Sequence, residues 1–286
     1  MRSGLQRRAV AVACCFALLA LIGGGCSQQE VGAGGEKRER VSVRVSGSGT
    51  CRPLVQILAD EYQGGDIEFS FLPGLHSGGG IKGVANGDLD LGMVSRELTD
   101  EEKKLGLLYT ALSSDGLILA VHRDVPIDGL TTEQVKAIYR GDHRDWSELG
   151  GPDLAITVLD RNEDESAKII LRKYVIGDLR VTDRAVNLFY EPDMVDGLEK
   201  TPGAIGYFSL GYALSRDIPV RRLELDGVEA SVASIEDGSY KVIRPLGVVT
   251  RVQPSDGIRA FLRWARSDET VEMMSSRGYA PPVGGP

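Results

Sequence analysis

From residue 41 onward the chain alternates between two hydrophobic periods. Val41, Val43 and Val45 place apolar side chains at every second position, the period of a strand, whereas Leu54, Ile57, Leu58 and Tyr62 recur at the three- and four-residue spacing of a helix. Ile67 to Leu72 predicts a second strand, Ile81, Val84 and Ala85 open a second helix, and Leu89 to Val94 predicts a third strand. This β-α-β-α-β order predicts an α/β fold: a mainly parallel sheet flanked by helices, with ligands bound beyond the carboxyl ends of the strands.

The pattern continues less regularly. Leu117 to Val121 is an apolar run, and Val135, Ile138 and Tyr139 share one helix face that Thr131 or Thr132 can cap. Trp146 to Pro152 reads as a loop, Ile156 to Leu159 as a strand, and the stretch from about Ser166 to Val175 as a helix. Gly203 to Tyr207 is a small turn followed by apolar residues, Val220 to Leu225 reads as a strand, Val242 to Val249 crosses back into apolar sequence, and a last helix runs from about Gly257 to Ser267. Nothing repeats at a fixed period. Composition shifts near Arg123 and returns near Ile243, which predicts two lobes: residues 41–122 with 243–286, and an inserted lobe, 123–242.

Three turns of small residues sit where an apolar run gives way to a helical pattern: Ser46-Gly47-Ser48-Gly49-Thr50, Ser77-Gly78-Gly79-Gly80 and Met93-Val94-Ser95-Arg96. A helix start presents unpaired N–H groups and the positive end of the macrodipole, and small residues let a ligand approach that backbone. Ser48, Thr50, Ser77, Gly78, Ser95 and Arg96 are therefore candidate anion contacts. Ser95 would line the cleft, and Arg96 would supply charge unless it pairs with Glu97, Asp100 or Glu101.

Residues 1–26 stand apart from the fold. Arg2, Arg7 and Arg8 form a positive start, Ala9 to Ile22 is an apolar run of secretory-leader length, and Gly23-Gly24-Gly25-Cys26 resembles a bacterial lipobox with Cys26 as the lipidated residue. A plain secretory leader cut nearby is the alternative, and both export the protein. Residues 27–40 are polar, without periodicity, and read as a tether. Losing the three arginines takes the formal charge from −8 to −11. That excess argues against a nucleic-acid partner but not against a small anion at a helix start.

Four cysteines are present: Cys14 and Cys15 leave with the leader, Cys26 is the candidate anchor, and Cys51 is left alone. No disulfide framework or thiolate metal site can be built from one thiol. Cys51 reads as a buried structural thiol, although its place in the first turn also puts it among the candidate anion-site residues. His76, His122 and His143 show neither metal-ligand spacing nor a nucleophile motif, and no turn ends in the Gly-Lys-Ser/Thr of a P-loop. Neither catalytic residues, metal nor cofactor are expected.

The chain resembles the phosphate-binding proteins of bacterial ABC importers, type II periplasmic binding proteins, over most of residues 41–283. Gly47-Ser48-Gly49-Thr50 with Pro53-Leu54, Ser77 to Lys82, Asp90-Leu91-Gly92 with Ser95-Arg96, Ser114-Asp115-Gly116, Ile138 to Gly141 with Asp145 to Gly150, and Asp237 to Tyr240 with Arg244-Pro245-Leu246 carry the likeness. It implies two lobes closing over inorganic phosphate, delivery to a membrane permease, a lipid-anchored protein in the periplasm or at the cell surface, and a monomer. It also implies that Arg161, after the Ile156 to Leu159 strand, clamps the anion from the second lobe, with Glu163 orienting it; a surface pair with Glu163 or Asp164 is the structural alternative. Where the family has Gly-Ser-Gly-Thr, this chain has Asp164-Glu165-Ser166-Ala167, and where some members have Asp, it has Arg96. Ser166 stays as a donor; Glu165 is either an acceptor for the proton of phosphate or an exposed first-turn acid. Asp115 is expected to cap or brace its turn. The departures leave open another oxyanion, such as molybdate, tungstate, sulfate or a phosphonate, or a sensor that kept the fold.

Overall fold

Two strands that each run through two hydrophobic cores organise the molecule. The structure is a computed structural model and describes residues 41–65 and 67–283. Among these residues the strands are β1 (Val41–Gly47), β2 (Ile67–Phe71), β3 (Leu91–Val94), β4 (Leu107–His122), β5 (Gly129–Leu130), β6 (Thr157–Arg161), β7 (Val186–Leu188), β8 (Ala204–Ser209), β9 (Val220–Leu225) and β10 (Ile243–Arg251). The helices are α1 (Arg52–Glu61), α2 (His76–Asn86), α3 (Asp100–Lys103), α4 (Thr132–Arg140), α5 (Ser166–Leu171), α6 (Glu191–Lys200), α7 (Leu210–Leu214), α8 (Val232–Glu236), α9 (Asp256–Ala265) and α10 (Asp268–Ser275). The leader, the tether and Cys26 lie outside the described residues.

The strand order is β2-β1-β3-β10-β4-β8-β6-β7, with β9 beside β4 and β5. β1 runs parallel to β2 and β3, and β6 runs parallel to β7 and β8; between these groups β10 and β4 are antiparallel to their neighbours. Parallel neighbours require crossover connections, and α1, α2, α5 and α6 supply them, as the alternating periodicity predicts.

One core gathers Val43, Val45, Leu54, Leu58, Leu112, Leu246, Val248, Phe261 and Leu262. A second, larger core gathers Leu117 to Val121, Val135, Ile138, Tyr139, Trp146, Leu159, Tyr207, Phe208 and Val242, and a small third cluster holds Ile81, Val84, Leu89, Val94 and Val249. The chain therefore changes core between Leu112 and Leu117 in β4 and between Val242 and Leu246 in β10. Each fully buried aliphatic or aromatic side chain contributes roughly 1.5–3 kcal/mol, so both cores have ample driving force.

Several expectations are refined. The apolar run at Leu117 to Val121 is only the second half of a sixteen-residue strand. Its first half is masked in the sequence by polar Thr110, Ser113, Ser114 and Asp115, all of which are buried. Ser114-Asp115-Gly116 is thus mid-strand rather than a turn. Thr131, not Thr132, caps α4, accepting from the Gln134 N–H while Gln134 returns to the Thr131 N–H. The helix expected from Ser166 is α5 followed by a π-helical turn, Arg172–Ile176. Trp146 is fully buried in a short 3₁₀ turn and donates its indole N–H to the Gly203 carbonyl at 2.9 Å.

α2 lies unusually close to the sheet because its contact face is glycine. A Cβ on Gly80 would stand 2.8 Å from the Gly47 Cα, and one on Gly92 would stand 2.5 Å from the Gly80 carbonyl oxygen. No side chain larger than hydrogen fits those positions without displacing β1, β3 or α2.

Candidate functional site: a serine-lined cavity between the two cores

The small-residue turns occupy different settings. α1 begins at Arg52, so Ser48 and Thr50 lie just before its start; α2 begins at His76, so Ser77 and Gly78 lie within its first turn. The third turn departs from expectation, because β3 ends at Val94 while α3 starts only at Asp100. Ser95 and Arg96 therefore follow a strand end and have no helix dipole behind them. All six residues nonetheless line one cavity of about 710 Å³, together with Arg161, Glu165 and Ser166 from across the gap.

At its floor four hydroxyls meet. Ser48 Oγ and Ser95 Oγ are 2.7 Å apart, Ser77 Oγ is 3.5 Å from Ser95 Oγ and accepts the Ser95 N–H at 3.2 Å, and Ser95 Oγ donates to Ser166 Oγ at 2.8 Å. These serines are at most 8% exposed. Three come from segments around the first core and Ser166 comes from the second-core side, so the cluster spans the gap.

Arg161 ends β6 with its guanidinium almost wholly buried. Its backbone N–H donates to the Tyr207 hydroxyl at 3.1 Å, and that hydroxyl in turn donates to Asp160, which holds Lys168 in a buried ion pair. Arg161 Nη2 donates to the Phe189 carbonyl and to Glu165 Oε2, both at 2.9 Å, while its Nε is buried without a hydrogen-bond partner. A buried guanidinium with an unused N–H is unfavourable unless something fills it, which suits a site built for an acceptor. The expected orienting role of Glu163 is not met: Glu163 accepts from Arg172 at 2.5 and 2.6 Å on the surface. Glu165 takes the place beside Arg161 instead.

Glu165 is also bridged from the other side. His76 Nδ1 lies 2.8 Å from Glu165 Oε1, joining α2 to the residue that precedes α5. His76 holds a positive φ of +55°, a conformation that costs a non-glycine residue energy and persists where its surroundings enforce it. Glu165 is thus mostly buried between two basic side chains rather than an exposed first-turn acid. Sequence spacing gave little hint of the His76 contact, since the partners are 89 positions apart.

Two candidates put their side chains to other uses than holding an anion, Cys51 as the buried structural thiol expected of it and Arg96 as the partner of a neighbouring acid. Cys51 is fully buried, but its thiol points away from the cavity and donates to the Gly247 carbonyl at 3.4 Å. Burial pushes that thiol up to about 12. Only its backbone N–H faces the site, donating to Ser48 Oγ at 3.3 Å. Arg96 does line the cavity, yet its guanidinium is bound in a fork by Glu102 at 2.7 and 2.8 Å, not by Glu97, Asp100 or Glu101 side chains. The hydrogen bond from Arg96 holds the Glu102 carboxyl below its usual range. The arginine's charge is therefore largely spent locally.

Beneath the serines lies a residue that sequence reasoning used only as part of a family motif. Arg244 on β10 is fully buried and pairs across the sheet with Asp115 on β4, Nε to Oδ2 at 2.9 Å. Asp115 Oδ1 also accepts from Ser209 Oγ and from the Gly211 N–H, so it braces two strands and the start of α7. Glu191 stands 3.5 Å from Arg244 Nη2, and burial raises its carboxyl pKa against the pull of Arg244. The Arg-Pro-Leu spelling was the available signal, but a buried arginine cannot be told from a surface one by composition.

A mixed sheet crossed twice between two cores, with a cavity of hydroxyl and guanidinium donors at the crossing, defines a two-lobed ligand-binding protein. The chain belongs to the PBP superfamily domain family, whose model matches residues 32–269. It is similar to the phosphate-binding protein PstS of Bacillus subtilis (strain 168), 25% identical over 260 residues that cover 87% of this chain and 83% of that protein. The crystal structure of a Clostridium perfringens protein with bound phosphate aligns with a TM-score of 0.75 at 28% identity, covering 84% of this chain and 99% of that one. An ABC-type phosphate transport receptor from Vibrio cholerae shares the fold, with a TM-score of 0.67 at 24% identity over 84% of this chain and 100% of the other.

Proposed function

We propose that this protein is a non-catalytic extracytoplasmic receptor that captures inorganic phosphate for an ABC importer. The observation that carries the reading is the convergence of Ser48, Ser77, Ser95 and Ser166 with Arg161, drawn from both sides of one cavity. Micromolar capture needs about 8 kcal/mol. Hydrogen bonds to a charged group contribute about 1.5–3 kcal/mol each, so Arg161 and three or four hydroxyl or amide donors suffice in a protein of net negative charge. Thr50 and Gly78 are further donors in this reading, and residues 41–122 with 243–286 and residues 123–242 are the two lobes, joined at the end of β4 and the start of β10.

Glu165 sets the choice among tetrahedral anions. A carboxylate at the rim of the site repels a fully ionised guest and accepts a hydrogen bond from one that brings a proton, which favours phosphate over sulfate or molybdate. Arg96, committed to Glu102, shapes the wall rather than holding the anion. Cys26 carries the lipid that keeps the monomeric receptor at the membrane beside its permease; among the described residues no helix is long and apolar enough to cross a membrane.

Calorimetric titration with phosphate, sulfate and molybdate on either side of neutrality tests the reading. Phosphate should bind and the other two should not compete. Arg161→Ala should weaken phosphate binding at least about tenfold. Absence of heat with phosphate would remove the receptor function, and an unchanged Arg161→Ala affinity would remove that residue from the site. Loss of labelling by radioactive palmitate in Cys26→Ala would support the anchor, and retained labelling would exclude it.

A further inference from the structure

Ser166 has an unusual hydrogen-bond inventory. Its oxygen accepts from Ser95 Oγ at 2.8 Å and from Arg244 Nη1 at 3.3 Å. A hydroxyl has two acceptor lone pairs and one hydrogen. With both lone pairs engaged, the only thing Ser166 can offer the cavity is its proton. Arg244 itself does not line that cavity; it lies behind Ser166, fully buried, held by Asp115 at 2.9 Å and close to Glu191.

The placement of Arg244 adds a second constraint. It faces Asp115 in the register of β10 on β4, at the stretch where both strands pass from one core to the other. Ser95, the other donor to Ser166, belongs to the segment after β3 on the first-core side. The oxygen of Ser166 is thus where the crossing strands, through Arg244, and the two walls of the cleft, through Ser95, meet.

Resting on the anion-receptor reading, we propose that Arg244 is a positioning residue that makes Ser166 an obligate hydrogen-bond donor to the bound anion and ties that donor to the strand crossing. A cation behind the hydroxyl oxygen polarises the O–H and strengthens its bond to an anionic acceptor. The role is indirect, because the guanidinium reaches the guest only through Ser166.

A double-mutant cycle on the full chain with inorganic phosphate as the probe tests it. Arg244→Lys keeps a cation for Asp115 but lacks the planar fork that reaches Ser166 at the same time. Ser166→Ala and Arg244→Lys should each weaken phosphate binding about tenfold, and the double variant should lose about tenfold rather than about a hundredfold, because the second change removes nothing further. Circular-dichroism melts verify that each variant folds. If the lysine variant does not fold, Arg244→Gln, which retains a planar N–H donor without the charge, is read in the same cycle. Additive losses, or an Arg244 variant that folds and binds as the wild type does, would overturn the proposal. The wild-type titration separates the two readings: no binding of phosphate, sulfate or molybdate overturns the receptor function and this role with it, whereas wild-type binding with additive losses overturns this role alone.

Discussion

At the scale of single residues, the identity of the neighbour decides what each charge can do. Glu165 contacts both Arg161 and His76, whereas Glu163, two positions earlier, is spent on Arg172 at the surface. Glu165→Gln removes the negative charge while keeping an acceptor oxygen. It should raise sulfate affinity relative to phosphate by about tenfold or more, since like-charge repulsion at close range is costly; competition titrations would measure this, and an unchanged preference would mean that Glu165 does not sense the guest. Cys51 offers a second test. With its thiol pushed up to about 12 by burial, it holds almost no thiolate at neutral pH, and the thiolate is the reactive form. Iodoacetamide should leave Cys51 unmodified in the folded protein and alkylate it fully in denaturant, as read by peptide mass spectrometry.

At the scale of elements, the glycine face of α2 joins fold to site. Close approach of α2 to β1 and β3 is what brings Ser77 to within 3.5 Å of Ser95. Gly80→Ala would drive a methyl group against the Gly47 backbone, and overpacking of this kind typically costs about 1–3 kcal/mol. The expected result is a melting temperature lower by several degrees, about 2–4 °C for each kcal/mol in a domain of this size. Because the displaced helix carries Ser77 and Gly78, phosphate binding should weaken too. An unaffected melt would show that the interface yields more easily than its distances suggest. Much of this level was legible beforehand: the strand and helix periods, the capping threonine of α4 and the terminal amphipathic helix, now Asp256–Ala265, all follow from local spacing. The polar half of β4 was not, since Ser113, Ser114 and Asp115 are satisfied by partners distant in sequence, including Ala280 and Arg244.

At the scale of the whole molecule, acid should loosen the fold. Hydrogen bonds from Arg44 hold the Asp90 carboxyl below its ordinary range, and those from Arg96 do the same for Glu102. A carboxyl whose folded pKa is depressed binds its proton more readily in the unfolded chain. Its stabilising contribution is therefore present above the unfolded pKa, about 3.9 for Asp and about 4.3 for Glu, and is lost as pH falls through the lower folded value. Buried Glu191, with a raised pKa, works in the opposite sense and favours the folded state as it becomes protonated. The melting temperature should fall from neutrality toward about pH 3, and Asp90→Asn should flatten part of that slope; a variant with the wild-type slope would contradict the assignment.

The sequence by itself determined the alternation of strands and helices, the small-residue turns and the basic residue after β6, because each is written in spacing over fewer than about twenty residues. Tertiary structure alone decided which carboxylate meets Arg161, that His76 reaches Glu165, and that Arg244 is buried behind Ser166 with Asp115, 129 positions away. In a chain with 33 basic and 41 acidic residues, nearly every charge has several possible partners nearby in sequence. Burial in the folded chain removes water from a few of them, among them Arg244 with Asp115 and Lys168 with Asp160, and desolvation is what makes the identity of the partner decisive.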